Sequence, residues 1–201
     1  MTEVLTENIE VASPPRFTQE ALGWEPWVTP LAEDELTERH YTGLVQKARA
    51  KSAYFRLLAR DPEVLEARTR TDLDIFHNTA GGVGRAEREL GATVASRSNG
   101  CIYCASVHSA FATHYSKRGD DVQRLLDEGV TADLGDAVWN AVRDAVVALT
   151  QTPVGFGPEQ VATLREAGLD DLGILDIINS GAFFSWANRL MLSLGEPTVE
   201  A

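Results

Sequence analysis

Ser98-Asn99-Gly100-Cys101-Ile102-Tyr103-Cys104-Ala105-Ser106-Val107-His108 is the stretch that decides the architecture. Ser-Asn-Gly is a helix stop, because glycine adopts the left-handed backbone that closes a helix. A helical pattern resumes at once, so one helix ends here and another begins. Upstream, residues 85–97 read as a helix, preceded by a three-glycine break at 78–84. Downstream, a long helix is expected over about 100–115. Working outward, residues 35–48 and 52–59 have helical period. Asp61-Pro62-Glu63 is a helix start, with aspartate at the N-cap and proline at the first helical position. Further helices are expected at 121–126, 133–150, 159–167 (closed by Gly168) and 170–194 (closed by Gly195 and Pro197), with a loop at 153–157. Alternating strand patterns are nearly absent. The expected fold class is all-α, helix packed on helix.

Residues 1–31 differ from the rest. Pro14, Pro15, Pro26 and Pro30 punctuate them, with Phe17, Trp24 and Trp27 between. Prolines at this density argue for an extended arm rather than a helix. Its aromatic residues should dock, on the chain's own body or on a second subunit. The organisation expected is therefore an arm over 1–31 and an all-helical domain over 32–201, with its motif core at about 50–130.

The chain has 201 residues, 18 of them Lys or Arg and 30 Asp or Glu, for a net charge of −12. A surface that negative repels phosphate backbones and anionic lipid, which argues against nucleic-acid and membrane partners. The start, Met1 to Val11, carries three glutamates and no Lys or Arg, so no secretory signal is expected there. The most apolar run, 172–194, is interrupted by Asp176, Asn179, Asn188 and Arg189 and reads as a buried helix. A cytoplasmic, reducing location follows as the expectation. It matters because the only two cysteines are Cys101 and Cys104.

On a helix, positions 101, 104 and 108 fall within about 60° of one another, so two sulfurs and an imidazole share one stripe. Cys104 and His108 lie one turn apart, in reach of a thiol–imidazole hydrogen bond. Cys101 lies in the first turn, where free backbone amides favour a thiolate. A thiol reacts as thiolate, a base one turn away can take its proton, and a second thiol can capture an oxidised sulfur. The bland alternative is that three positions on one face are core. Zinc would need four ligands, and only His40, His77 and His114 could join from elsewhere. A thioredoxin-type domain would require a βαβ context that the pattern lacks. By spacing, Glu89 shares a side of its helix with Ala86, Leu90 and Thr93. It faces the cysteine helix or stands in solvent, and Arg97 is a candidate partner for it. Ile102, Phe111 and Tyr115 either line a hydrophobic pocket or pack as core.

Glu89, eleven residues, then Cys101-x-x-Cys104-x-x-x-His108 resembles the signature of the AhpD-like alkylhydroperoxidases of the carboxymuconolactone decarboxylase superfamily. Arg85-Ala-Glu-Arg-Glu-Leu90, Ser98-Asn-Gly-Cys101 and the tail, Ala167-Gly-Leu through Asn188-Arg-Leu, resemble it too. The resemblance covers about residues 50–195. It implies an all-helical homo-oligomer and a peroxidase without metal, haem or other cofactor. It implies that Cys104 is the peroxidatic cysteine, Cys101 the resolving one, and Glu89 and His108 the proton relay. One departure is visible: Tyr103 stands where the best-known members carry a histidine. The expected partners are a peroxide and a dithiol reductant that restores the cysteines by disulfide exchange. The alternatives are a dithiol adapter that meets no peroxide, and a non-redox scaffold or zinc-binding protein.

Overall fold

The computed structural model describes residue 14 and residues 16–199; the readings made of Met1 to Val11 and of Pro15 lie outside them. The described chain runs β1 (Leu22–Pro26), α1 (Glu38–Leu44), α2 (Ala53–Leu58), α3 (Pro62–His77), α4 (Arg85–Asn99), α5 (Ile102–Ser116), α6 (Gly119–Glu128), α7 (Ala137–Thr150), α8 (Pro158–Glu166), α9 (Asp171–Leu194) and β2 (Gly195–Val199). The fold is all-α, a helical bundle with a two-stranded sheet that joins the arm to the segment after α9.

Caps set the helix starts as the residue types require. Asp61, Asp136 and Asp170 each accept a backbone N–H at the head of α3, α7 and α9, from Val64 at 3.3 Å, Trp139 at 2.9 Å and Gly173 at 2.7 Å. Gly100 closes α4 at φ 78°, where a side chain would be strained, and Cys101 then caps α5. The tight turn sets α4 and α5 side by side.

Helix α4 is the centre of the bundle. Residues 88–96 are all buried, although many are small or polar. Helices α5, α7 and α9 surround it. Small residues let them approach: a Cβ at Gly91 would stand 3.1 Å from Ser180 Oγ on α9. The buried hydroxyls are bonded, Ser180 Oγ donating to the Arg88 carbonyl at 2.6 Å and Ser96 Oγ to the Ala92 carbonyl at 2.7 Å. Among the described residues no helix is long and apolar enough to cross a membrane.

Two features depart from the sequence reading. The helix expected over 35–48 is broken into a 3-10 turn at Glu33–Glu35, the short α1, and a second 3-10 turn at Lys47–Lys51. Thr37 caps α1, its N–H bonding His40 Nδ1 at 3.0 Å, and Val45 ends it at φ 61°. The segment beyond α9, expected only to stop the helix, is a strand: β2 pairs antiparallel with β1 of the arm, Trp24 opposite Pro197. Within the chain, the arm thus docks on its own body. Trp24 packs edge-on to Tyr54 at 5.3 Å, and Gln19 accepts from Thr113 Oγ1 at 2.6 Å.

Candidate active site

Three helices converge on the sulfur pair. Helix α5 carries Cys104 and His108, its cap is Cys101, α4 brings Glu89, and α9 brings Asn188 and Phe184. The Cys101 and Cys104 sulfurs are 2.8 Å apart, and both are free thiols. They are closed in, Cys101 at 1 % exposure and Cys104 at 7 %. The Cys104 thiol bonded to the Cys101 sulfur, helped by the Cys104 backbone N–H and the Asn188 side chain, holds the Cys101 thiol below the ordinary range against the opposing effect of burial. The same contact, then burial, then the Cys101 charge push the Cys104 thiol well above it. The pair thus loses its first proton more readily than an isolated buried thiol, and the proton that remains lies between the two sulfurs.

Glu89 is 1 % exposed. Arg85 Nε donates to its Oε1 at 3.0 Å, and His108 Nδ1 lies 2.7 Å from its Oε2. A carboxylate held by a guanidinium on one oxygen accepts on the other. Nδ1 therefore carries the hydrogen, and Nε2 is the nitrogen left without it. Phe76 stacks on the imidazole at 5.2 Å, and Phe184 meets it edge-on at 4.1 Å. The ring has no freedom to turn.

The four expected site residues therefore lie together, with one difference in wiring. The hydrogen-bond partner of Cys104 is Cys101, and that of His108 is Glu89. Among the described residues no hydrogen bond joins Cys104 to His108 directly. Both line one cavity of about 540 Å³. Cys101 faces a separate cavity of about 130 Å³, roofed by Trp24, Gly195 and Pro197. Phe111 and Tyr115 line the large cavity, whereas Ile102 borders the small one. Arg97 does not partner Glu89. Two turns along an α-helix carry it about 80° off that face, and its Nε bonds the Leu126 carbonyl at 3.1 Å while its guanidinium lies 4.2 Å from the Phe17 ring. Arg85, one turn away, takes the place.

Among the described residues no group of three or more His, Cys, Asp and Glu side chains is arranged to hold a metal ion. His40 bonds Thr37, His77 lies beside Arg85, and His114 packs on Tyr115. Sequence reasoning missed Asn188, within 3.0 Å of Ser96 Oγ and 3.1 Å of Asn99 Nδ2, whose side chain also favours both thiolates. Its signal was a polar residue inside the apolar run 172–194. It also missed Arg49, Arg68 and Asp72, which line the large cavity.

The profile of the carboxymuconolactone decarboxylase family matches residues 62–147, which hold α3 to α6, most of α7 and all four site residues. No curated protein matches the chain. Among solved structures, the chain is similar to an alkylhydroperoxidase AhpD core, a peroxidase-related protein from Ralstonia eutropha JMP134. Identity is 22 % and the TM-score 0.71, over 84 % of this chain and 90 % of that one. A peroxidase-related protein from Silicibacter sp. TM1040 is 25 % identical with a TM-score of 0.69, over 85 % of this chain and 92 % of that one. The debrominase Bmp8 is 18 % identical with a TM-score of 0.67, over 87 % and 92 %. The helical order, the matched profile and these neighbours agree that the chain is similar to the AhpD-like proteins of the carboxymuconolactone decarboxylase superfamily.

Proposed function

We propose that the chain is a thiol-dependent peroxidase that reduces organic hydroperoxides at Cys104. One observation carries this reading: Cys104 opens onto the cavity that also holds the His108–Glu89 pair, with a second free sulfur in contact behind it. The superfamily includes enzymes, and the Ralstonia eutropha relative is named an alkylhydroperoxidase core.

The pair first gives one proton to Nε2 of His108 across the cavity that Cys104 and His108 share, and the remaining one moves from Cys104 to Cys101 across the sulfur contact. The Cys104 thiolate then attacks the distal oxygen of the hydroperoxide. The O–O bond breaks, Cys104 becomes a sulfenic acid, and the leaving alkoxide takes a proton from His108, which Glu89 holds in place. The Cys101 thiol displaces hydroxide from the sulfenic sulfur, the two protons and oxygen leave as water, and a disulfide forms. In sum, two thiols and one hydroperoxide give a disulfide, an alcohol and water. A dithiol protein returns both sulfurs by exchange at Cys101, in a reducing compartment such as the cytoplasm. Leu172, Leu175 and Trp186 are exposed and share one face of α9, which supports a homo-oligomer.

The test is peroxide consumption with excess dithiol, alongside the mass of each variant after peroxide and dimedone. A dimedone adduct at Cys104 in Cys101→Ser and no turnover in Cys104→Ser are expected. Full activity in Cys104→Ser would sink the assignment. Inertness to peroxide with fast disulfide exchange would replace it with a dithiol adapter.

A further inference from the structure

We infer that the substrate cavity recognises a carboxylate, held by Arg68 and Arg49, so that the hydroperoxides this protein prefers are carboxylic acids. The inference deepens the peroxidase reading and rests on it for the word hydroperoxide, but not for the binding site.

The observation behind it is a guanidinium with two buried nitrogens that have no hydrogen-bond partner among the described residues. Arg68, on α3, is 9 % exposed and lines the cavity. Its Nε and Nη1 are shut off from water and donate to nothing. Among the described residues its ionic neighbour is Asp72, 3.2 Å from Nη1, but the N–H is not aimed at the oxygen. Asp72 is shared: Arg49 Nη2 lies 3.7 Å from the same oxygen, and Arg49 is 14 % exposed. Both guanidinium groups lie over the Phe55 ring, at 4.7 Å for Arg49 and 5.6 Å for Arg68.

A buried charge that lacks acceptors is destabilising, and a structure keeps one where a ligand supplies them. The charge count identifies that ligand. Arg85 and Glu89 neutralise each other within the cavity wall. Arg49 and Arg68 face one carboxylate, Asp72, and leave one positive charge over. The surplus stands inside a chain of net charge −12, so it is a local feature of the cavity. One surplus charge fits a monoanion, and the planar guanidinium fork fits a planar carboxylate. A phosphate dianion would be opposed by Asp72. The same cavity that holds these arginines and Cys104 is also lined by the apolar Leu73, Phe76, Phe184 and Met191. A substrate with an anionic head, a hydrocarbon body and a hydroperoxide at its far end matches that layout, in a volume of about 540 Å³.

The experiment uses matched probes: cumene hydroperoxide, its para-carboxylate analogue, and para-isopropylbenzoate, which carries the head without the peroxide. The carboxylate analogue is expected to show a KM at least ten-fold below that of cumene hydroperoxide. Para-isopropylbenzoate is expected to bind the reduced protein in calorimetry, at least ten-fold more weakly in Arg68→Met and also more weakly in Arg49→Met. The wild-type comparison needs no variant, so misfolding of Arg68→Met leaves the test standing. Equal KM values with no binding of para-isopropylbenzoate overturn the carboxylate site and leave the peroxidase standing. Inorganic phosphate bound as tightly as para-isopropylbenzoate overturns it as well. Binding that Arg68→Met weakens, with neither peroxide consumed, upholds the site and removes the peroxidase reading.

Discussion

Cys101 and Cys104 touch through their sulfurs, 2.8 Å apart, yet open toward different cavities. Cys104 looks into the large cavity with His108, whereas Cys101 looks under the β1–β2 sheet. A dithiol built this way can separate its two reactions in space. Oxidant meets one sulfur, and the reductant must reach the other. The contact between them carries the proton in one half of the cycle and becomes the disulfide in the other.

The proton sharing sets a pH dependence. In the wild type the first proton leaves below the ordinary thiol range, because the Cys104 thiol stabilises a thiolate at Cys101. Oxidation by peroxide should therefore rise with pH through that lowered value and level off. In Cys101→Ala the only proton to lose belongs to Cys104, and burial still raises it. The rise should move to higher pH than in the wild type, and the rate at neutral pH should fall. Single-turnover oxidation of Cys104 with dimedone trapping across pH measures this without any resolving step. Superimposable profiles would contradict the shared proton.

Glu89 and His108 should behave as one unit. In Glu89→Gln the amide oxygen can serve Arg85 or His108, not both, and its NH2 faces a donor on the other side. The imidazole loses its fixed tautomer. Peroxidase kcat/KM should fall by about 10²-fold, at the lower end for a lost acid–base group. Stability should fall by roughly 1–3 kcal/mol from the disrupted buried bonds. His108→Asn should do similar kinetic damage, and the double variant little more than either single one. Additive losses in steady-state kinetics would separate the two residues.

How much of this was legible depends on where each residue finds its partner. The turn at Ser98–Gly100, the caps Asp61, Asp136 and Asp170, and the cysteine–histidine stripe are local, and periodicity reveals local relations. The β1–β2 pairing is not: Gly23, Pro26 and Pro197 spoil any alternation, and the two strands meet only after α9 has crossed the bundle. The break near Val45 was hidden because residues 35–48 keep a helical period while Thr37 and the Gly43–Pro62 contact override it. Glu89 could be placed by the family resemblance, but its true partner, Arg85, follows from helix geometry alone. Arg68 had no such signal of role, and Asn188 had only its polarity inside the apolar run 172–194. Their meaning comes from Phe55, Asp72 and the sulfurs, contributed by other elements.

The sheet over Cys101 should control how fast that sulfur reacts. Trp24 borders the small cavity, packs on Tyr54 and lies against Gly195, where any Cβ would collide with the indole. Its Nε1 is buried without a hydrogen-bond partner among the described residues, so the ring is held by packing. Trp24→Ala should raise the alkylation rate of Cys101 at least ten-fold, equivalent to easing the opening by about 1.4 kcal/mol. Cys104 serves as the internal reference. Peptide mass mapping after timed iodoacetamide pulses reads both sites, and an unchanged ratio would show that the sheet is no barrier.

Arg88 tests what holds the glycine-rich loop beneath this site. Its guanidinium donates to the carbonyls of Ile75 at 3.0 Å, Asn78 at 2.6 Å and Gly81 at 3.0 Å, and to Asp176 at 2.8 Å. Asp176 in turn accepts from the Val83 backbone at 3.1 Å. The loop between α3 and α4 is thus wrapped around one buried cation, and α9 is tied to it through Asp176. Arg88→Met keeps the length and the apolar stem but strands three carbonyls and a carboxylate. Removing one member of such a buried pair costs about 3–5 kcal/mol. The denaturation midpoint should fall accordingly with the slope unchanged, since the surface exposed on unfolding is the same. Amide exchange should localise the loss to residues 78–84 and the head of α4. The loop anchors the α4 residue next to Glu89, so the Glu89–His108 contact should loosen with it, and kcat should fall more than KM rises. A midpoint shift below about 1 kcal/mol, the scale of a surface substitution, would mean that water replaces the guanidinium and that the loop stands by itself.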